Sequence, residues 1–348
     1  MAAFYKLTIK EIIKETTDAV SILFNVPNNL KETFSFKSGQ YITLKTLING
    51  EDVRRAYSIC SSPESNDLKV AVKAVENGKF STYATTKLQE GDEVEVAPPE
   101  GKFTLEPSAN KSYLGFAAGS GITPVLSMIK SVLEEEPSST FTLIYGNKRA
   151  KDTIFKDKLD ALLVAYPTQF KLHYIFSREQ QTDSLFGRID QGNVNYYIKN
   201  KYKNIVFSDA FLCGPEEMVN IVSQTLQEYN ISKENIHFEL FTASVSKDNS
   251  TDIPEGKTEI TVLLDDEETT FTMSKKDVIL AASLRNDLDA PYSCQGGVCS
   301  SCLAKVTAGN AVMVKNTILT DDEVDEGFIL TCQAHPTSSK ITIDFDDV

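Results

Sequence analysis

PYSCQGGVCSSC, residues 291–302, holds three of the chain's six cysteines, with Gly296 and Gly297 between the first two. The spacing is Cys294, four residues, Cys299, two residues, Cys302, and then twenty-nine residues to Cys332. Thiols crowded this way in a chain of ordinary composition point to metal or redox chemistry rather than to a disulfide framework. Delivering three thiolates from one short loop requires a backbone that wraps closely around whatever they hold. Gly296 and Gly297 permit the wrap, because they carry no side chain and accept positive φ.

A C-x4-C-x2-C run with a distant fourth cysteine is the ligand spacing of a plant-type [2Fe-2S] cluster, in which four thiolates hold two irons. Structural zinc favours two short cysteine pairs, and only Cys299 and Cys302 form one here. Free buried cysteines are the third reading; Cys60 and Cys213 fall outside the pattern. Over about its last ninety residues the chain resembles the plant-type ferredoxin family. That resemblance implies a β-grasp ferredoxin-like domain whose cluster is held by Cys294, Cys299, Cys302 and Cys332.

At 348 residues the chain has room for two or three domains of roughly 100–200 residues each. Its formal charge of −14 leaves no basic stripe to neutralise phosphates, so a nucleic-acid partner is not expected. From Thr258 to Val348 sixteen Asp and Glu stand against six Lys and Arg, a net of −10. That acidic surface either attracts a basic protein partner or is simply solvated. The start MAAFYKLTIKEII lacks a basic segment followed by an apolar one, and no run of ~18 apolar residues occurs, so a cytoplasmic chain without a membrane span is expected.

The first hundred residues alternate in short runs, KLTIKEI, AVSILFNV, QYITLKT, DLKVAVKAV and DEVEVAP, separated by turn-rich pieces, which predicts a small antiparallel barrel. Near Ser112 the rhythm changes. YLGFAA reads as an apolar strand, GSGITP as a tight loop, and VLSMIKSVLEEE as a helix ended by Pro137. FTLIYGN, FKLHYIFS and DAFLC follow as strands, with TIFKDKLDALLVAY and the residues after CGPEEM as helices, the pattern of a doubly wound parallel sheet. TEITVLLDD and ETTFTMS form a hairpin, and DVILAASLRND a short helix. The expected boundaries are a barrel over 1–106, a nucleotide-binding α/β domain over 107–241, a linker over 242–257 and the ferredoxin-like domain over 258–348.

RRAYSICSSP, residues 54–63, offers a cation, a flat ring and a hydroxyl, the three groups a flavin needs for phosphate, isoalloxazine face and reactive edge. An Arg and a Tyr filling a strand surface explain this stretch equally well. GKFSTYATTKL places Gly78 and Ser81 before a helical run, whose free N–H groups and positive end suit pyrophosphate. In AAGSGITP a strand precedes and a helix follows Gly119 and Gly121, and Pro124 suits the first helical position. Close helix–strand packing explains the two glycines as well, and Pro124 stands where a dinucleotide fingerprint has its third glycine. Cys213 by itself reads as a small buried hydrophobe.

Together these motifs resemble the ferredoxin–NADP reductase superfamily over residues 1–241. The resemblance implies that Arg55, Tyr57 and Ser58 meet the flavin, and that Gly78, Lys79, Phe80 and Ser81 line its pyrophosphate. The pyrophosphate helix favours FAD over FMN. It further implies that Thr123, with Gly119, Gly121 and Pro124, and Cys213, with Gly214 and Pro215, hold the nicotinamide against the flavin. Glu239 and Phe241 of HFELF stand near the ring, although core packing accounts for Phe241 almost as well. Tyr57, Ser58, Thr123 and Cys213 are the expected catalytic set. Ser177 and Arg178 after FKLHYIF, assisted by Lys148 and Arg149, suit a 2′-phosphate and favour NADPH over NADH, although exposed basic residues are common at strand ends. His173, His237 and His335 are scattered and form no metal pattern.

A flavin reductase followed by a ferredoxin implies electrons passing from NADPH to FAD to the [2Fe-2S] cluster and on to a partner docked at the acidic domain. The domain order and the GSGITPVLSMIKSVLEEEP, YGNK, SREQ and FGRID motifs resemble the oxygenase reductase components, above all those of phenylacetyl-CoA epoxidase systems. Steroid-hydroxylase and ring-hydroxylating dioxygenase reductases share the order. A non-catalytic redox sensor is the reading from another class, and the complete nicotinamide motif speaks against it.

Overall fold

The computed structural model describes residues 3–241 and 253–348, so residues 242–252 of the expected linker lie outside the described residues. Two compact units separate, one over Phe4–Phe241 and the other over the C-terminal part.

In the first unit the alternating runs become β1 (Tyr5–Thr16), β2 (Ala19–Asn25), β3 (Tyr41–Ile48), β4 (Glu51–Ser58), β5 (Leu68–Lys73) and β6 (Glu93–Val96). They form one antiparallel sheet in the order β4-β3-β6-β1-β2-β5. Beyond β4, Ile59 bridges Val70 of β5, and Cys60 N–H donates to the Lys69 carbonyl at 2.8 Å. The two edge strands thereby meet and the sheet closes into a barrel, which removes its open edges. Leu7, Ile9, Ile22, Ile42, Leu44, Val70 and Val96 fill the inside. RRAYS is the second half of β4, Tyr57 facing Ile42 across the ladder and Ser58 facing Tyr41. Helix α1 (Lys79–Thr86) crosses after β5.

The second layer of this unit is a sheet of β7 (Ser112–Ala118), β8 (Thr140–Asn147), β9 (Phe170–Phe176), β10 (Leu185–Phe186), β11 (Asp209–Cys213) and β12 (Ile236–Glu239). Its order is β10-β9-β8-β7-β11-β12 and every pairing is parallel. The chain winds outward from β7 in one direction and then restarts at β11 in the other. The strand order therefore reverses between β7 and β11, the place where doubly wound sheets take ligands at their carboxyl ends.

Helix α2 (Ile122–Glu135) follows a tight turn over Gly119–Gly121. Pro124, expected to open this helix, stands third in it, still within the first turn, where its missing N–H costs no intrahelical bond. Helices α3 (Lys156–Ala165), α4 (Gln191–Asn195) and α5 (Glu216–Glu228) complete the layer. The periodicity does not indicate α4, which continues into a wider turn over Tyr196–Lys201; its Gln-Gly-Asn-Val-Asn start is poor in helix formers, and the Asp190 side chain caps it.

The second unit contains β13 (Lys257–Leu264), β14 (Glu267–Ser274), α6 (Ile279–Arg285), β15 (Leu303–Ala308), β16 (Ala311–Met313), α7 (Asp321–Asp325), β17 (Phe328–Leu330), β18 (Ala334–Pro336) and β19 (Lys340–Asp344). β13 and β14 form the expected hairpin, turned at Asp265 and Asp266, both at positive φ. The Asp346 carboxylate accepts the N–H groups of both turn residues at 2.9 Å. The mixed sheet β14-β13-β19-β15-β17 has β13 and β19 parallel at its centre, with β16 and β18 as a separate pair. This is the β-grasp arrangement, with Ile260, Val262, Ile279, Leu280, Leu330 and Ile343 in its core. Among the described residues no helix is long and apolar enough to cross a membrane.

Candidate functional site

β4 brings Arg55, Tyr57 and Ser58 to the closing edge of the barrel. Arg54 is consumed structurally: it is buried and reaches Asp52 at 3.3 Å. Arg55 stays half-exposed, with one bond from Nη1 to the Arg54 carbonyl at 2.6 Å. The Tyr57 ring is half-buried and leans on Phe80, centroids 5.4 Å apart. Burial pushes the Tyr57 hydroxyl well above the ordinary phenol range, Arg55 opposing, so it remains a proton donor at neutral pH. Phe80 is itself buried, so it can offer a ligand only its backbone. The Ser81 hydroxyl accepts the Val75 N–H at 3.2 Å, and Lys79 pairs with Glu51. No side chain caps α1, which leaves the N–H groups of Lys79, Phe80 and Ser81 as the donors at its start. Arg55, the Tyr57 ring and this uncapped end fit a flavin with a pyrophosphate arm.

Ser58 Oγ donates to Glu239 Oε2 at 3.1 Å, joining the barrel to the last strand of the parallel sheet. Cys213 lies opposite Glu239 in the β11–β12 register and is fully buried. Burial pushes the Glu239 carboxyl up to about 8, the Ser58 hydrogen bond pulling the other way. Burial also drives the Cys213 thiol far upward, and Glu239 adds to it. At neutral pH the group is therefore a neutral carboxyl, a hydroxyl and a neutral thiol. Glu239 can hold a proton next to Ser58 Oγ without placing a charge there. Phe241 is 39% exposed, so core packing does not account for it.

The two loops that meet here are built by glycine. Gly119 adopts φ +56°, and its carbonyl accepts the buried Tyr145 hydroxyl at 2.8 Å. Gly121 has an ordinary φ but no room: a Cβ would stand 2.1 Å from the Cys213 carbonyl oxygen. At Gly214 a Cβ would stand 2.7 Å from Met218 Cε. Thr123 is buried and its Oγ1 donates to the Ser120 carbonyl at 3.0 Å. Pro215 precedes α5 without a side-chain cap. Ser177 and Arg178 extend the sheet ladder past β9, their N–H groups donating to the Asn147 and Lys148 carbonyls at 2.9 Å. Arg178 is exposed. Its neighbour Glu179 is occupied, Oε2 accepting the Ala150 N–H at 2.7 Å, a bond that holds its carboxyl below the usual range.

In the second unit Cys294, Cys299 and Cys302 come from the irregular loop before β15 and Cys332 from the end of β17. Cys299 Sγ lies 3.0 Å from Cys294 Sγ, and the Gly296 N–H donates to Cys294 Sγ at 3.3 Å. S–H donors from Cys299 and Cys332, with the N–H groups of Gly296 and Val298, hold Cys294 well below the ordinary thiol range. Gln295 and Gly297 both adopt positive φ. A Cβ at Gly297 would stand 2.9 Å from Gln333 Cγ and 3.1 Å from the Lys315 carbonyl oxygen. The Thr331 N–H and hydroxyl bind the Cys302 carbonyl at 3.1 and 2.9 Å, fastening the loop beside Cys332. Four converging cysteines with inward N–H donors fit the thiolate set of a [2Fe-2S] cluster.

Residues 6–105 match the oxidoreductase FAD-binding domain, residues 116–224 the oxidoreductase NAD-binding domain, and residues 262–337 the 2Fe-2S iron-sulfur cluster binding domain. One component of the 1,2-phenylacetyl-CoA epoxidase of Escherichia coli K12 is 39% identical over 351 residues, covering 99% of both chains. The chain belongs to the family of FAD- and [2Fe-2S]-dependent oxygenase reductases. The ferredoxin reductase component of the Rhodococcus rhodochrous 3-ketosteroid-9-alpha-monooxygenase is 33% identical, with 97% of this chain and 96% of that one covered. Phthalate dioxygenase reductase shares the fold, with a TM-score of 0.64 at 24% identity over 99% of this chain and 98% of that structure.

Two features of this reductase's site are not evident in its sequence. Tyr145 reads there only as part of the strand FTLIYGN, where its hydroxyl stands out no more than that of Thr142. Glu179 sits inside SREQ beside the basic pair and carries no signal of its own, because its role is a backbone contact to a loop twenty-nine residues away.

Proposed function

We propose that this reductase oxidises NADPH and delivers electrons singly to an oxygenase component, specifically a phenylacetyl-CoA ring-epoxidase. When bound, FAD accepts the two electrons of a hydride and releases them one at a time, and the [2Fe-2S] cluster carries one. Within the chain, Arg55 and the N–H groups at the start of α1 bind the flavin's phosphates, and Tyr57 shields one face. The Gly119–Gly121 turn, Thr123 and the Cys213-Gly214-Pro215 corner hold the nicotinamide, Glu239 and Ser58 keep a proton beside the reacting edge, and Phe241 covers the ring. The observation that supports this reading is the Ser58–Glu239 hydrogen bond beside Cys213, which joins β4 to the strand next to the Cys213-Gly214-Pro215 corner, with Gly121 packed against the Cys213 carbonyl.

The exposed Arg178 guanidinium, with the neighbouring Glu179 carboxylate engaged by backbone, supports a 2′-phosphate and hence NADPH. Near-full-length identity to the Escherichia coli epoxidase component supports the partner. The acidic ferredoxin-like domain, with Asp321, Asp322, Glu323 and Asp325 on α7, is the proposed docking face, and the cytoplasm the proposed compartment. The proposed boundaries remain 1–106, 107–241 and 258–348.

The test is reconstitution. Purified protein is expected to turn over faster with NADPH than with NADH at equal concentration, and to support epoxidation of phenylacetyl-CoA by the oxygenase components of that system. Faster turnover with NADH would reverse the nucleotide assignment. Support of 3-ketosteroid hydroxylation instead would move the partner to the steroid class, as the Rhodococcus relative suggests.

A further inference from the structure

One stripe of α2 is hydrogen-bonded to the segment that follows the flavin strand. Ser127, fully buried, donates from Oγ to the Ser61 carbonyl at 2.6 Å. One turn later Lys130 Nζ donates to the Cys60 carbonyl at 3.2 Å. A further turn along, a Glu134 carboxylate oxygen accepts the Ser62 hydroxyl. Positions 127, 130 and 134 share a helix face, and 60–62 begin two residues after Ser58. The two backbones so joined are those that present the candidate nucleotide turn, at the start of α2, and the candidate flavin side chains, on β4.

Apolar packing between a helix and a barrel is non-directional: it sets a separation but resists sliding and rotation weakly. Val125, Leu126, Met128, Ile129 and Val132 of α2 already belong to one apolar cluster with Ala19, Cys60 and Ala71 of the barrel. Taking an ammonium out of water at such an interface is costly unless it is used, and burial does lower the Lys130 amine's affinity for its proton. A methionine would fill the same space without that cost. What a row of directional bonds adds is register.

We propose that Ser127 and Lys130 are positioning residues for hydride transfer, fixing the register of the nucleotide-binding end of α2 against the flavin strand. The proposal rests on the reading that flavin lies on β4 and nucleotide at the Gly119–Gly121 turn. The step they govern moves a hydride, a proton with two electrons, from C4 of the reduced nicotinamide to the flavin, so the nucleotide is oxidised and the flavin reduced.

The experiment compares wild type, Ser127→Ala, Lys130→Met and Lys130→Arg as full-length holoenzyme mixed anaerobically with NADPH or NADH. In Lys130→Met the limiting rate of flavin bleaching is expected to fall about tenfold, and in Ser127→Ala about threefold, as small misplacements of reacting atoms do. The long-wavelength charge-transfer band, which reads nicotinamide stacking on the flavin, is expected to weaken in parallel. Nucleotide Kd and FAD content should hold within about twofold, a factor worth under half a kcal/mol, and Lys130→Arg should restore both band and rate. An unchanged band and rate, or a rate that falls only in proportion to lost FAD, would overturn the proposal. Wild-type protein bleached by neither nucleotide would overturn the underlying reading, and the proposal with it.

Discussion

In the C-terminal unit three of the four candidate ligands stand within one loop, and the fourth, Cys332, lies just past a short strand. In the N-terminal unit the decisive contact joins Ser58 to Glu239, 181 positions apart in the chain. A site made by one loop depends on every ligand but on little else. A site made by topology depends on each place where two distant segments must approach closely, and it degrades by degrees.

The sharpest way to separate the two is Cys299→Ser. Transfer from NADPH to cytochrome c is expected to drop to background, while bleaching of the flavin by NADPH proceeds at the wild-type rate. Loss of both at once would mean that the units do not act in series. Gly121→Ala attacks the other kind of site. Its new Cβ, 2.1 Å from the Cys213 carbonyl oxygen, forces backbone apart at a cost of about 1–3 kcal/mol. A lower Tm and weaker nucleotide turnover are expected, with the visible signature of the cluster untouched.

Glu239→Gln probes the same junction through pH. The carboxyl, raised to about 8, favours folding when protonated, so its contribution is complete below the unfolded carboxylate range and declines as pH rises through 8. The glutamine variant should melt nearly with wild type at pH 5 and above it at pH 9. A constant difference across that range would contradict the neutral carboxyl. The smallest effect is expected from Thr320→Ala, which removes the capping box on α7 and costs about 1 kcal/mol. Thermal melts should show it in the second unit alone.

The same contrast governs what is legible in the chain before it folds. Cys294, Cys299 and Cys302 declare themselves by spacing, because the loop that holds them is contiguous, and Cys332 by being the distant fourth cysteine such a cluster needs. Most strands and helices of the first unit are equally legible, since side-chain period and turn residues are local properties; α4 is not, because its start is poor in helix formers. Gly119 and Gly121 are visible as a turn, yet nothing in GSGITP says that Gly121 presses on the Cys213 carbonyl, a contact made only when β7 and β11 lie side by side. Pro124 stands two positions deeper in α2 than its residue type suggests, because the helix already begins at Ile122, straight out of the tight glycine turn. The bonds from Ser127 and Lys130 are illegible because they too join distant segments: on a helical wheel these are merely polar residues at the rim of an apolar face.

β4 carries Arg55, Tyr57 and Ser58, and one residue later Ile59 closes the barrel against Val70. If β4 holds the flavin as proposed, cradle and clasp are one piece of chain. A cofactor that grips only the fastened barrel would stabilise it by mass action, so its loss is expected to loosen this seam. Proteolytic nicking between residues 59 and 70 would then serve as a gauge of how much of the protein in a preparation is carrying its flavin.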